Sequence, residues 1–190
     1  MKPILFNTAM VRAILAGRKT QTRRLVKPQP DTYSFTGREY IFDSDDCPKP
    51  PCKTGDVLYV RETWAPGCTF ATEGKIFYKA DDDAGDNILR WCPSIHMPKE
   101  AARIFLRVTD VLVERLQTIS LENCISEGAV KKPNITKRGD LVLHSRYRNE
   151  FAVLWNSTIK PTDRDRYGWD ANPWVWVICF ERIGKEDADG

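Results

Sequence analysis

A chain of 190 residues is the size of one domain and can bury a hydrophobic core without disulfide or metal staples. Hydrophobic residues at 42% and charged residues at 29% exclude a disordered or fibrous chain, and no apolar run approaches the ~20 residues of a membrane span. The net charge of +3 is too small to argue for a nucleic-acid partner by itself, so the clustering of the charges matters more than their sum.

The opening residues, Met1 to Phe6, are too short an apolar run for a signal peptide. With six cysteines, this implies reduced thiols and a cytoplasmic location. Cys47 and Cys52, separated by Pro-Lys-Pro-Pro, have a workable ligand spacing, but His96 and His144 stand alone. The expectation is therefore no metal and no cofactor, with the proline-loop cysteines without a role.

Asn7 or Thr8 can cap a first helix that runs to about Ala16, with Val11, Ile14 and Leu15 on one face. Gly17 then supplies the left-handed position that closes a helix. Residues 20–26 read as a strand. Residues 27–54 hold five prolines and read as loop, with a short strand at Tyr40-Ile41-Phe42. The turn Thr54-Gly55-Asp56 launches a strong strand from Val57 to Trp64, apolar on both faces up to Val60. Another short strand follows at 76–80, then a connector from Pro93 with a helical turn opening at Pro98.

The longest strand signal spans Arg103 to Leu116. Ile104, Leu106 and Val108 share one face, while Val111 and Val113 share the other, so a bend is expected near Thr109-Asp110. Ser120 is positioned to cap a short helix ending at Gly128, with Leu121, Cys124 and Ile125 inward. Residues 130–144 read as a polar loop, and Ser145 as the cap of a helix whose face is Tyr147, Phe151, Leu154 and Trp155. After an irregular stretch over 157–172 comes a closing strand, Trp174 to Ile183. The pattern is α+β, mainly β: a small barrel or strongly bent sheet of five or six strands with peripheral short helices.

Arg18, Lys19, Arg23, Arg24 and Lys27 lie close together with no acid among them. Such a patch can attract phosphate; a solvated surface stretch is the competing reading. Lys19 follows the helix stop and is flanked by arginines. Neighbouring positive charge and burial both disfavour the ammonium form, and a lysine so perturbed can serve as a general base. Thr22 offers a hydroxyl three residues on, a nucleophile that a lysine can activate. Regular strand alternation would set the two on opposite faces, so they share a site only if residues 18–20 are still in the turn after Gly17.

Glu127 sits in the last turn of its helix, where a carboxylate opposes the helix dipole at a cost of about 0.3–1 kcal/mol. It is poorly placed for the helix and well placed to meet a lysine; a solvated glutamate is the alternative. Arg61 and Glu62 continue a strand that reads as buried, so one of these charges must face the interior. It would pair there with the basic run, with Glu127, or in a plain structural salt bridge. Trp64, Trp91 and His96 flank a loop-rich segment where a base could stack, with core packing as the competing role.

The run Gly17-x-Lys19-x-x-Thr22-x-Arg24 resembles the GxKxxExR motif of the ASCH domain, a PUA-like β-barrel family. The stretches Gly55 to Trp64 and Trp174 to Glu181 fit the family's later strands. The resemblance covers residues 1–184 as one domain, with extra loop material near 28–54, 65–75 and 130–144 and an acidic, disordered tail at 185–190. The whole is similar to ASCH proteins carried by phages and prophages. Thr22 departs from the motif, where many members have glutamate. The small bacterial ASCH amidohydrolases also have threonine there, in a Gly-Arg-Lys-Thr-x-Thr-x-Arg run.

Those enzymes remove the acetyl group from N4-acetylcytidine with a lysine, a threonine and a glutamate. The resemblance carries these roles to Lys19, Thr22 and Glu127. The charges and rings near them, Arg18, Arg23, Arg24, Arg61, Glu62 and Trp64, are the expected substrate- or RNA-binding residues. The implied partner is a modified nucleoside or RNA. The family's wider associations leave two alternatives open: a non-catalytic RNA-binding module, and a ribonuclease that uses the same basic cleft.

Overall fold

The computed structural model describes residues 1–31, 33–35, 40–42, 48–68, 72–81, 88–129 and 140–189. Nine strands and five helices are assigned among them. In chain order they are β1 (Lys2–Leu5), α1 (Thr8–Leu15), β2 (Gln21–Leu25), β3 (Tyr33–Phe35), β4 (Tyr40–Phe42), β5 (Val57–Arg61), β6 (Trp64–Pro66), β7 (Ile76–Tyr78), β8 (Phe105–Arg115), α2 (Leu121–Ser126), α3 (Asp140–Thr158), α4 (Arg164–Tyr167), β9 (Trp174–Ile183) and α5 (Lys185–Asp189). The class is α+β. Its main sheet has five strands in the order β1-β5-β8-β9-β2. The β1–β5 pair is parallel, whereas β5–β8 and β2–β9 are antiparallel. The order runs from one end to the other without closing, so the barrel expected from the sequence is an open sheet among the described residues.

The chain forms two compact units, one of residues 1–17, 54–108 and 180–190, the other of 18–53 and 109–179. Within the first unit, α1 starts as the sequence dictates. The Asn7 side chain accepts from the Met10 N–H at 2.9 Å, and Val11, Ala13 and Ile14 are buried. Gly17 ends the helix at φ +69°. The core of this unit gathers Met97, Ala101, Ala102 and Phe105, with Ala188 from α5. The tail expected to be disordered is thus helical from Lys185 to Asp189, anchored by its one apolar residue. The expected long strand from Val57 breaks at Glu62. It alternates between buried and half-buried residues instead of being buried on both faces, and Trp64–Pro66 turns into a hairpin with β7.

In the second unit, β2 pairs with β9 in the register Gln21 to Cys179 through Leu25 to Val175. Ser120 caps α2 by accepting from the Asn123 N–H at 3.1 Å, and Gly128 ends it at φ +74°. Tyr147, Phe151 and Trp155 from α3 pack with Leu116, Ile119, Cys124 and Val175. Ser145 does not cap α3, which already begins at Asp140. The rest of the expected polar loop, residues 130–139, lies outside the described residues, as does Cys47. A second cluster joins Val26, Trp174 and Trp176 with Val111 and Val113.

Candidate functional site

The second unit holds a buried group of charges built on the start of β2 and the end of α2. Lys19 and Glu127 form an isolated antiparallel bridge, and the Thr20 N–H donates to the Ser126 carbonyl at 2.9 Å. This bridge is possible because the left-handed turn at Gly17 precedes Lys19, while Gly128 closes α2 just after Glu127. Lys19 therefore comes before the regular alternation, which begins at Gln21.

Lys19, Thr22, Arg23 and Glu127 are each no more than 3% exposed. The Lys19 Nζ donates to Glu127 Oε2 at 2.7 Å, to the Glu127 carbonyl at 2.9 Å and to the Gln21 carbonyl at 2.8 Å. Three donated bonds match the three protons of an ammonium group. A neutral amine would turn its lone pair towards an oxygen, so the arrangement is that of a charged lysine on a charged glutamate. Burial lowers the Lys19 pKa, Glu127 opposes that shift, and the Arg24 and Arg23 charges add to it. The lysine also satisfies the carbonyl of Glu127, the C-cap of α2, which offsets the unfavourable carboxylate at that helix end.

Arg23 completes the group. Its Nη1 donates to Glu127 Oε1 at 3.0 Å, and its Nε and Nη2 donate to Glu114 Oε1 at 2.9 and 2.7 Å. Its guanidinium also lies over the Phe151 ring, 5.7 Å from the centroid. Arg23, expected to hold a ligand, is thus engaged inside the protein by two carboxylates. Arg24 has its pKa lowered by burial, with Glu127 opposing. Arg18 is half-buried. Thr22 is buried on β2 opposite Ile178, and its hydroxyl is not among the partners of Lys19 Nζ.

The other expected binding residues belong to the first unit. Arg61 donates from Nε to the Met97 carbonyl at 2.8 Å. Glu62 is 1% exposed and accepts from Arg103 at 2.9 and 3.1 Å. Arg103 also donates to both oxygens of Asp81 and stacks on Tyr78, 3.8 Å from the ring centroid. Burial raises the Glu62 pKa and Arg103 opposes the rise. Of the pairings expected for Glu62, the structure shows a plain salt bridge. Trp64 packs at the edge of the core around Met97 with its indole N–H buried and without a hydrogen-bond partner.

No family model matches the chain, and no curated protein matches it. Among solved structures, it is similar to protein EF3133 of Enterococcus faecalis, described as family DUF984. The identity there is 11% and the TM-score 0.38, over 97% of this chain and 82% of that one. It is also similar to an ASCH domain from Lactobacillus crispatus, at 10% identity and a TM-score of 0.36, over 92% of this chain and 70% of that one. Likenesses at this level carry no conclusion about substrate or chemistry, which rests on the residues themselves.

Glu114 and Arg103 were not singled out by the sequence. Arg103 lies just before β8, and Glu114 stands beside Arg115 in a strand that also carries Arg107 and Asp110, so no local anomaly marks either residue.

Proposed function

We propose that this chain is an ASCH-type amidohydrolase that acts on an N4-acylated cytosine nucleoside through Lys19, Thr22 and Glu127. The observation that carries the reading is the buried Lys19–Glu127 pair at 2.7 Å, with a buried threonine on the strand that follows the lysine directly. Two ionised groups are costly to bury, and a purely structural role would be met as well by apolar residues. The pairing instead suits a lysine whose proton must be held and moved.

In the proposed reaction, Lys19 passes one proton to Glu127 Oε2, which accepts from it at 2.7 Å, and the neutral amine that remains is the base. Lys19 Nζ then takes the Thr22 hydroxyl proton while Oγ1 forms a bond to the acyl carbon. Arg24, beside the pair, stabilises the negative charge on the acyl oxygen. When the bond from carbon to N4 breaks, the same proton passes from Lys19 to the departing amine. Lys19 Nζ then takes a proton from water as the water oxygen bonds to the acyl carbon, and gives it to Thr22 Oγ1 as the ester bond breaks; the carboxylic acid departs and Glu127 returns its proton to Lys19. Glu127 keeps Lys19 oriented throughout.

The test is to mix the protein with N4-acetylcytidine, quench in acid and measure peptide masses. One acetyl group is expected on the peptide containing Thr22, and none on the same peptide from Thr22→Ala. Full turnover by Thr22→Ala would exclude threonine as the nucleophile.

A further inference from the structure

Glu127 serves two cations with two oxygens: Oε2 accepts from Lys19 and Oε1 from Arg23. Arg23 in turn has two carboxylates, and it gives Glu114 two donors and Glu127 one. Arg23 is almost fully buried, while the Glu114 side chain is 21% exposed. The order Glu114–Arg23–Glu127–Lys19 is therefore a line of alternating charge that leads inward from a half-exposed carboxylate to a fully buried lysine.

We propose that Glu114 is a positioning residue for the Lys19–Glu127 pair, drawing Arg23 to itself so that Glu127 keeps one oxygen and its charge for Lys19. Without Glu114, the full charge of Arg23 falls on Glu127, and the hold of Glu127 on the lysine weakens. The charged groups about Lys19 are Glu127 from the end of α2 and Arg23 and Arg24 from β2. Cys124 from α2 and Cys179 from β9 stand near Arg23. Burial pushes both thiols up, Cys124 to about 11, so they remain uncharged at neutral pH. Glu114 thus supplies negative charge at Arg23 that neither thiol can.

The role of Glu114 in catalysis rests on the amidohydrolase reading, but its effect on Lys19 does not and can be observed directly. The experiment follows the side-chain nitrogen resonance of Lys19 in lysine-labelled protein through a pH titration, with Lys19→Met used to assign the signal. Glu114→Gln is expected to move the midpoint down by about one pH unit, the scale of a lost neighbouring charge. Glu114→Asp keeps the charge and is expected to stay closer to wild type. It also serves as the second variant should the glutamine substitution fail to fold.

An unchanged midpoint in a folded Glu114→Gln protein would overturn the proposal. So would equal shifts in the two variants, because shape and not charge would then be responsible. In the activity assay, the alkaline-rising limb of the rate is expected to move to lower pH in Glu114→Gln. A shifted resonance in a protein that never releases cytidine would uphold the role of Glu114 and reject the amidohydrolase reading instead.

Discussion

Glu127 is the residue on which the buried charges depend. Replacing it with glutamine leaves Lys19 and Arg23 buried without the anion that joins them. Loss of one partner from a buried pair costs about 3–5 kcal/mol. Glu127→Gln is expected to lower stability by that amount in urea denaturation, whereas Lys19→Met, which removes the buried charge itself, is expected to cost less. A glutamine variant as stable as wild type would mean that the pair contributes nothing to holding α2 against β2. Lys19 also imposes a pH dependence. Its pKa is below the ordinary 10.5 in the folded protein, so between those two values the unfolded chain binds more protons. Stability should therefore rise with pH across that window in the wild type, relative to Lys19→Met, and the difference should be flat below it. Urea midpoints at a series of alkaline pH values measure this directly.

The elements that present these residues are set by short local signals, and most of those could be read in the sequence. Gly17 and Gly128 end α1 and α2 at positive φ, and Ser120 and Asn7 cap their starts, all as expected. A Cβ at Gly17 would meet no atom within 4 Å, so alanine there changes only backbone preference. Gly17→Ala is expected to cost about 1 kcal/mol, and Gly17→Asn less, because asparagine tolerates the left-handed region. Equal midpoints for the glycine and alanine proteins would contradict the assignment of that turn. Some short elements were legible, as at β4 and β7, and others were not. β1, β3 and β6 have 4, 3 and 3 residues, too few for an alternation to be recognised. The bend expected near Thr109-Asp110 coincides with two successive exposed residues in β8, after which the inward face changes from Leu106 and Val108 to Val111 and Val113.

At the scale of the molecule, that change of face coincides with the boundary between the two compact units, which falls after Val108. The alternation therefore revealed a feature of the architecture without revealing its meaning. The ion pairs were the least legible feature. Lys19 to Glu127 spans 108 residues and Arg23 to Glu114 spans 91, distances over which no local pattern operates. Lys19 and Glu127 are legible because each is locally misplaced, one after a helix stop among arginines and the other at a helix C-terminus, whereas Glu114 lies inside a strong strand that gives no such signal.

The burial of the basic run bears on how it could meet RNA. Of the cations in the basic run, Lys19 and Arg23 are buried and bound to carboxylates, Arg18 and Arg24 are half-buried, and Lys27 is exposed. If RNA bound through this run alone, at most three cations could meet phosphates, and at about −0.7 for each the logarithmic salt slope for short single-stranded RNA should be no steeper than about −2. Anisotropy titrations at two salt concentrations measure it. A much steeper slope would favour a nucleic-acid-binding function over nucleoside chemistry.

The measurement that tests the central claim most directly is chromatographic assay of cytidine release from N4-acetylcytidine by purified wild-type protein, beside Lys19→Met and Thr22→Ala. Release by the wild type alone is the predicted result, with both variants reduced at least about a hundredfold, as expected when a nucleophile or its base is removed. No release by the folded wild type, or equal release by all three proteins, would contradict the account.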